Sequence, residues 1–317
     1  MHILILGAAG MLGRKLTTAI TAGALPYTRL TLADVVAPPA IPGATSLALN
    51  LTDPTAPATL LQHRPDLIFH LAAIVSGEAE ADLAKGYATN LDATRALLDA
   101  IAAIRDYLPK LIFASSLAVF GAPFPKVIPD DFHLTPRTSY GAQKAMTELL
   151  LSDHSRRGLL DGIAIRLPTI CIRPGAPNRA ASGFYSSILR EPLNGQPAIL
   201  PVSDTLRHWF ASPRAATGFL LHAAGLDTTT FGPSRALTMP GLSASVAEMI
   251  EALRRTAGQS AADLIQHTPD PTIAAIVESW AEAFEATTAR ALGFKAESSF
   301  DDILRIYLED DRPTPSI

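Results

Sequence analysis

The stretch "HILILGAAGMLG", residues 2–13, decides the fold. Its first half is a continuous apolar run, as expected of a strand covered on both faces. Glycines follow at Gly7, Gly10 and Gly13, and a helical pattern runs from Met11 to Ala22. Strand, glycine turn and helix in that order let backbone N–H groups approach a pyrophosphate, and the helix N-terminus adds a favourable field. Glycines also serve tight turns that bind nothing, so the elements on either side carry the argument.

Outward from this turn the pattern repeats. "LTLADV" (30–35) reads as a second strand and ends at Asp34, about 20 residues after Gly13. A carboxylate there accepts both hydroxyls of an adenosine ribose and repels a 2′-phosphate, so NAD is expected over NADP. The plainer alternative is a strand-end turn aspartate. Arg14 and Lys15, just past the last glycine, give some phosphate affinity and make the preference less strict. "DLIFHLAA" (66–73), "KLIFASS" (110–116) and "GIAIRLPT" (162–169) are further strands, with helices over 87–104 and from Tyr140 between them. The class is therefore α/β, a Rossmann-type doubly wound parallel sheet with a smaller C-terminal substrate-binding domain. The expected division is 1–170 for the dinucleotide domain, with 206–226 packing back onto it, and 171–205 plus 227–317 for the second domain. Past Pro168 the chain is rich in Pro, Gly, Ser and Arg. "SVAEMIEALRRTAG" (245–258) and "TIAAIVESWAEAFEATTARALG" (272–293) read as amphipathic helices, the latter with Ile273, Ile276, Val277 and Trp280 at helical spacing. The tail "EDDRPTPSI" is expected to be poorly ordered.

Composition narrows the function classes. The chain has 317 residues, 48% of them hydrophobic and 18% charged, with a net charge of −4. That balance gives no electrostatic case for nucleic acid or an anionic membrane as partner. A single cysteine, Cys171, allows no intrachain disulfide and fits a reducing, cytoplasmic setting; in its apolar run it reads as an inert core residue. The start of the chain lacks the cationic stretch of a signal peptide, and no apolar run is long enough for a transmembrane helix. No metal site is expected.

In "SYGAQKAMTELL" (139–150), Tyr140 and Lys144 stand one helical turn apart. Such a pair on a helix surface usually means nothing. Here it joins "GAAGMLG", "HLAA" (70–73) and "FASSLAVFG" (113–121) in order. The ordered set resembles the extended short-chain dehydrogenase/reductase superfamily, the group of nucleotide-sugar epimerases and dehydratases, from Met1 to about Arg214. The resemblance implies Tyr140 and Lys144 as the catalytic pair and Ser116, five positions ahead of Gly121, rather than Ser115, as the third member. Phe120 replaces the family's tyrosine. The resemblance also implies a cofactor surface made by Gly7, Gly10, Met11, Leu12, Gly13, Asp34, Leu51, Leu71, Ala72, Ala73, Asn90, Tyr140, Lys144 and Pro168, with a commonly structural role for Asn90.

The chemistry is coherent. A free tyrosine has a pKa of about 10 and is a poor base near neutrality. An adjacent ammonium and the positive nicotinamide of NAD favour the phenolate, which can take the proton of a substrate alcohol. Ser116 would fix the same oxygen, and Lys144 would also hold the nicotinamide ribose. Two departures argue against a nucleotide sugar: Thr169 stands where the family has an asparagine, and Pro213 and Arg214 replace an acidic end. Finer stretches, such as "HLAAIVSGEAEADLAKGY" and "RLPTICIRPGAPNRAASGF", resemble NAD-dependent sugar-acid dehydrogenases and imply oxidation at C2 of a four-carbon acid. A uronate dehydrogenase, an epimerase keeping its NAD and a non-catalytic dinucleotide sensor are the rival readings. Ser76, Ser116, Tyr140, Thr169, Arg173, Arg179, Arg207 and His208 are the expected substrate residues. Arg207, with His208 beside it, has the first claim on the carboxylate, and Arg179 the second. Ser76 reads equally as a cap of the next turn. Helices carrying Leu97, Leu98, Met146 and Leu150 suggest a homodimer, although these residues could equally be ordinary core.

Overall fold

The computed structural model describes residues 1–175, 181–232 and 234–312. The chain divides into two compact units. The first comprises Met1–Val119, Pro136–Leu167 and Thr217–Thr238, and the second Phe120–Thr135, Pro168–Ala216 and Met239–Ile317.

In chain order the strands are β1 His2–Leu6, β2 Arg29–Asp34, β3 Ala44–Ala48, β4 Leu67–His70, β5 Lys110–Ser116, β6 Asp161–Leu167, β7 Thr169–Ile170, β8 Ala198–Leu200, β9 Arg207–Ala211, β10 Ala236–Thr238, β11 Leu242–Ser245 and β12 Ile265–His267. The helices used below are α1 Met11–Thr21, α2 Ser76–Ala81, α3 Ala93–Ala103, α4 Ser139–Arg156, α5 Gly183–Leu193, α6 Val246–Ala257, α7 Pro271–Val277, α8 Thr287–Ala291 and α9 Phe300–Asp310.

The first unit is built on a seven-stranded sheet in the order β10-β6-β5-β4-β1-β2-β3. Every pairing in it is parallel. β1 is buried along its whole length, as its unbroken apolar run predicts for a strand covered on both faces. The strand order reverses between β1 and β4, and a doubly wound sheet opens its ligand crevice at such a switch. One core cluster joins Leu4, Leu6, Ile68, Leu111 and Phe113 of the sheet to Leu97, Leu98 and Ile101 of α3. Leu97 and Leu98 are thus core residues and not a dimer face, because their side of α3 covers the sheet.

The second unit holds a three-stranded sheet, β11-β9-β7, and the pair β12-β8. Its core gathers α5, α6 and α9 through Tyr185, Ile188, Met249, Leu253, Ile303 and Tyr307. Cys171 lies in this core with no exposure, and burial pushes its thiol up to about 12. Among the described residues, no helix is long and apolar enough to cross a membrane.

Three expectations change. The segment 120–135, placed by sequence in the dinucleotide domain, belongs to the second unit: Ile128 N–H donates to the Ala283 carbonyl at 2.9 Å, and the Ile128 carbonyl accepts from Glu285 N–H at 3.0 Å. Within 206–226, β9 also belongs to the second unit, where it pairs with β7 and β11. The single helix expected over 272–293 is broken into α7 and α8. Between them Ala281 and Glu282 give their carbonyls to His208 and Ser243, and Ala286 adopts a left-handed φ of 48°. These tertiary partners outweigh a helix propensity of tenths of a kcal/mol per residue. The last residues of the expected loose tail, 313–317, and Arg179 lie outside the described residues.

Leu98 is fully buried at the α3–sheet contact. Leu98→Ala should destabilise the protein by about 2–5 kcal/mol, measured as a lowered urea midpoint.

Candidate active site

The turn after β1 is shaped by close backbone approaches. Gly7 has a φ of 85°, and a Cβ there would sit 2.7 Å from the Ala72 nitrogen and 2.9 Å from the Leu71 carbonyl carbon. A Cβ on Gly13 would collide with the Gly7 carbonyl and the Ala8 backbone. Only glycine fits either position. The turn is tied to the sheet by Gly7 N–H to the Ala33 carbonyl at 2.9 Å, and Leu71 N–H reaches the Leu6 carbonyl at 2.9 Å. Gly10 occupies the cap position of α1 with no side-chain cap, and the first turn carries no acidic residue. The orphan N–H groups of that turn, including those of Met11, Leu12 and Gly13, therefore suit a phosphate. Asp34 closes β2 beside them. One of its oxygens accepts Ala9 N–H at 2.9 Å, and the other accepts Val36 N–H at 3.3 Å. The carboxylate both braces the turn and retains lone pairs for ribose hydroxyls. Glycine cradle, uncapped helix and carboxylate together fit a dinucleotide. Leu51 is half-buried and packs on the sheet's core cluster. Ala72 and Ala73 follow β4 and Leu71, half-buried, beside the turn.

Asn90 lies in a π-helical turn, Ala88–Asp92, just before α3. It is 2% exposed, and its side chain is used up within the fold. Its oxygen accepts Ile74 N–H at 2.9 Å, while its amide donates to the Ile74 carbonyl at 3.1 Å and to Gln143 Oε1 at 2.7 Å. It clamps the loop after β4 to α4. Ser76 opens α2, whose cap position belongs to Val75 without any side-chain cap bond, so the capping reading of Ser76 fails.

Tyr140 enters at the start of α4. Thr138 caps this helix by accepting Gly141 N–H at 3.1 Å, and Glu80 accepts Ser139 N–H at 2.9 Å. A Cβ on Gly141 would collide with the Ala118 carbonyl, so glycine lets the first turn of α4 press against the segment that follows Ser116. Lys144 is 2% exposed. Its Nζ donates to the Ala114 carbonyl at 2.8 Å and lies 4.4 Å from the Phe113 ring centroid and 5.6 Å from that of Tyr140. Burial pulls the Lys144 pKa down to about 7, against the field of Glu148. Ser115 and Ser116 separate cleanly. Ser115 is buried and donates to Glu148, whereas the half-buried Ser116 accepts Ala118 N–H at 3.1 Å and keeps its own proton to donate. Ser116, Tyr140 and Lys144 thus belong to one unit, at the end of β5 and along α4.

Pro168, buried, and Thr169, Arg173, Arg207 and His208 lie in the second unit. The Thr169 hydroxyl meets His208 Nε2 at 2.7 Å, and His208 Nδ1 meets the Ala281 carbonyl at 3.0 Å. Burial pulls the His208 pKa down to about 4, so the ring is neutral near pH 7. Arg173 donates to the Ile170 carbonyl at 3.0 Å and to Ser182 Oγ at 3.2 Å. Arg207, expected to grip a carboxylate, instead donates to the Ser243 carbonyl at 3.0 Å and pairs with Glu248 at 3.0 Å. Glu248 belongs to the capping box of α6, so Arg207 braces a helix start. Among the described residues, no His, Cys, Asp and Glu group is arranged to hold a metal.

Sequence reasoning missed Gln143, Glu148 and Arg166, all buried polar residues of the first unit. The signal for Glu148 was available: it continues the Tyr140, Lys144 stripe by one more turn.

A Rossmann sheet with a glycine cradle, an uncapped helix and a Ser–Tyr–Lys set defines a dinucleotide-dependent enzyme of the short-chain dehydrogenase/reductase type. The chain belongs to the NAD dependent epimerase/dehydratase family, whose model matches residues 3–225. It is 44% identical over 98% of its length to a D-erythronate dehydrogenase of Cupriavidus necator, covering 98% of that protein. It is 43% identical to a D-erythronate dehydrogenase of Haemophilus influenzae, over 98% of this chain and 100% of the relative. Among solved structures, one described as the nucleoside-diphosphate-sugar epimerase from Agrobacterium tumefaciens matches with a TM-score of 0.95 and 57% identity, over 98% of this chain and 94% of that one.

Asp34→Ala removes the carboxylate that the sequence pattern assigns to the ribose, together with the brace on Ala9. NAD affinity should fall roughly tenfold or more, and the gap to NADP should narrow, read by fluorescence titration with each dinucleotide.

Proposed function

We propose that the protein oxidises the C2 hydroxyl of D-erythronate to 2-dehydro-D-erythronate, with Tyr140 as general base. The observation that carries the chemistry is the ammonium of Lys144, buried beneath Tyr140 and anchored to the Ala114 carbonyl. The substrate class rests on the two near-full-length dehydrogenase relatives. NAD, when bound, accepts the hydride. Tyr140 takes the hydroxyl proton, and Ser116 donates to the same oxygen and orients it. The positive charge of Lys144 favours the phenolate. The cofactor is held at the α1 N-terminus, the glycine cradle and Asp34. Ser76 remains a proposed substrate contact.

A second reading has support of its own, since the similar structure from Agrobacterium tumefaciens is described as an epimerase. An epimerase that retains its NAD would give no net NADH. The dehydrogenase reading draws support from Thr169, whose hydroxyl is bound to His208, and from Arg214, which pairs with Glu309 and Asp310. Both positions depart from the nucleotide-sugar pattern. A panel of four- to six-carbon aldonates and uronates, assayed for NADH release, separates the readings. Release with D-erythronate is expected, a uronate preference would move the substrate, and no net release with any acid would support an epimerase.

The protein is further proposed to be a cytoplasmic homodimer. Leu149 on α4 is an exposed apolar side chain, 66% accessible, and supports this reading. Sedimentation at micromolar concentration should give twice the chain mass, and a monomer would refute the dimer.

Tyr140→Phe keeps the ring and deletes the ionisable oxygen. Turnover should drop at least ~10²-fold with NAD binding largely kept. Near-normal turnover would remove Tyr140 from the mechanism.

A further inference from the structure

Tyr140, Lys144 and Glu148 recur every fourth residue along α4, so they form one stripe of the helix. Lys144 and Glu148 are each 2% exposed. The contacts of Lys144 with the Ala114 carbonyl and the Phe113 ring orient its ammonium but do not balance its charge. Glu148 is held from two strands. Ser115 of β5 donates to Oε1, and Arg166 of β6 spans both oxygens, with Nε at 3.0 and 3.1 Å and Nη2 at 2.7 Å. A carboxylate gripped by an arginine fork and a hydroxyl cannot wander.

The other ionisable groups around Lys144 do not replace Glu148. His70 of β4 is neutral, because burial pulls its pKa down to about 3. Arg166 is cationic and bound to Glu148. Elsewhere on α4, Glu80 serves Ser139, and Asp99 of α3 faces His154 at 3.8 Å. The anion whose field favours the Lys144 ammonium is Glu148.

We propose that Glu148, fixed by Ser115 and Arg166, is a positioning residue of the reaction: it keeps Lys144 charged beneath Tyr140 and holds Ser115 back so that Ser116 alone faces the substrate. Strand alternation turns Ser115 and Ser116 to opposite faces, and the bond to Glu148 pins Ser115 on its side. The proposal rests on the reading of Lys144 as the charged partner of Tyr140.

Glu148→Gln preserves size and an acceptor for Ser115 but deletes the charge. Lys144 then surrenders its proton at lower pH, and a phenol above a neutral amine ionises only at higher pH. The acid limb of kcat/KM should move up by about one pH unit, with activity near pH 7 lower by about tenfold. In the apoprotein, the NMR titration of the Lys144 ε-methylene should move to lower pH. Glu148→Asp should restore part of both. Because the single change removes the carboxylate that Arg166 grips, Glu148→Gln with Arg166→Met provides a second test, with a shift of the same direction expected for Lys144. If either folded variant leaves the Lys144 titration and the acid limb unmoved, with activity lost only in proportion to folded protein, Glu148 is merely structural and the proposal is overturned. The NMR arm needs no substrate, so it stands even if the protein proves inactive on D-erythronate.

Discussion

An ammonium removed from water must be repaid by fixed dipoles or a counter-charge, since its desolvation costs several kcal/mol. Lys144 carries that constraint here. The Ala114 carbonyl fixes it to β5, and the Phe113 ring offers its electron-rich face. Glu148 supplies the opposite charge from one turn along α4, with Arg166 reaching it from β6. Lys144 thus ties α4 to β5, and Glu148 ties it to β5 and β6. A pKa pulled to about 7 also means that modest fields decide whether Lys144 is charged.

The dinucleotide turn is coupled to this helix through backbone and amide contacts. Gly7 presses on Leu71 and Ala72, at the start of the loop that follows β4. Further along, the Asn90 side chain makes two hydrogen bonds with the Ile74 backbone and donates its second amide proton to Gln143. Gln143 directly precedes Lys144. The π-helical turn that carries Asn90 is a local departure from regular helix, of the sort often found near functional sites. The loop after β4 is thereby tied to the α4 residue next to Lys144.

Features with local causes were legible in the sequence. Strands buried on both faces declare themselves by unbroken apolar runs, and the Gly7–Gly13 turn by glycines that no other residue can replace. The place of Asp34 at the end of β2, and of Tyr140 and Lys144 one turn apart on one helix, follows from the strand and helix patterns. Features set by distant partners were not legible. α7 and α8 look like one helix until the intervening carbonyls are claimed by His208, Ser243 and Ile128. Glu148 sits in an ordinary-looking helical pattern, and its meaning comes from Ser115 and Arg166, 33 and 18 residues away. Leu97 and Leu98 could be assigned to core or interface only once the sheet beneath them was placed.

The reading of Arg207 with His208 as one acid-binding pair fails for a reason that strand geometry supplies. Adjacent residues of β9 project to opposite faces, so the two side chains cannot converge. Arg207 goes to Glu248, and His208 turns into the core between Thr169 and the Ala281 carbonyl. A carbonyl only accepts, so Nδ1 of the neutral ring must carry the proton and Nε2 must be the acceptor. The Thr169 hydroxyl is then the donor to Nε2, and its oxygen retains only lone pairs. A group that hydrogen-bonds to Thr169 must bring its own proton, which a sugar hydroxyl does and a carboxylate at neutral pH does not.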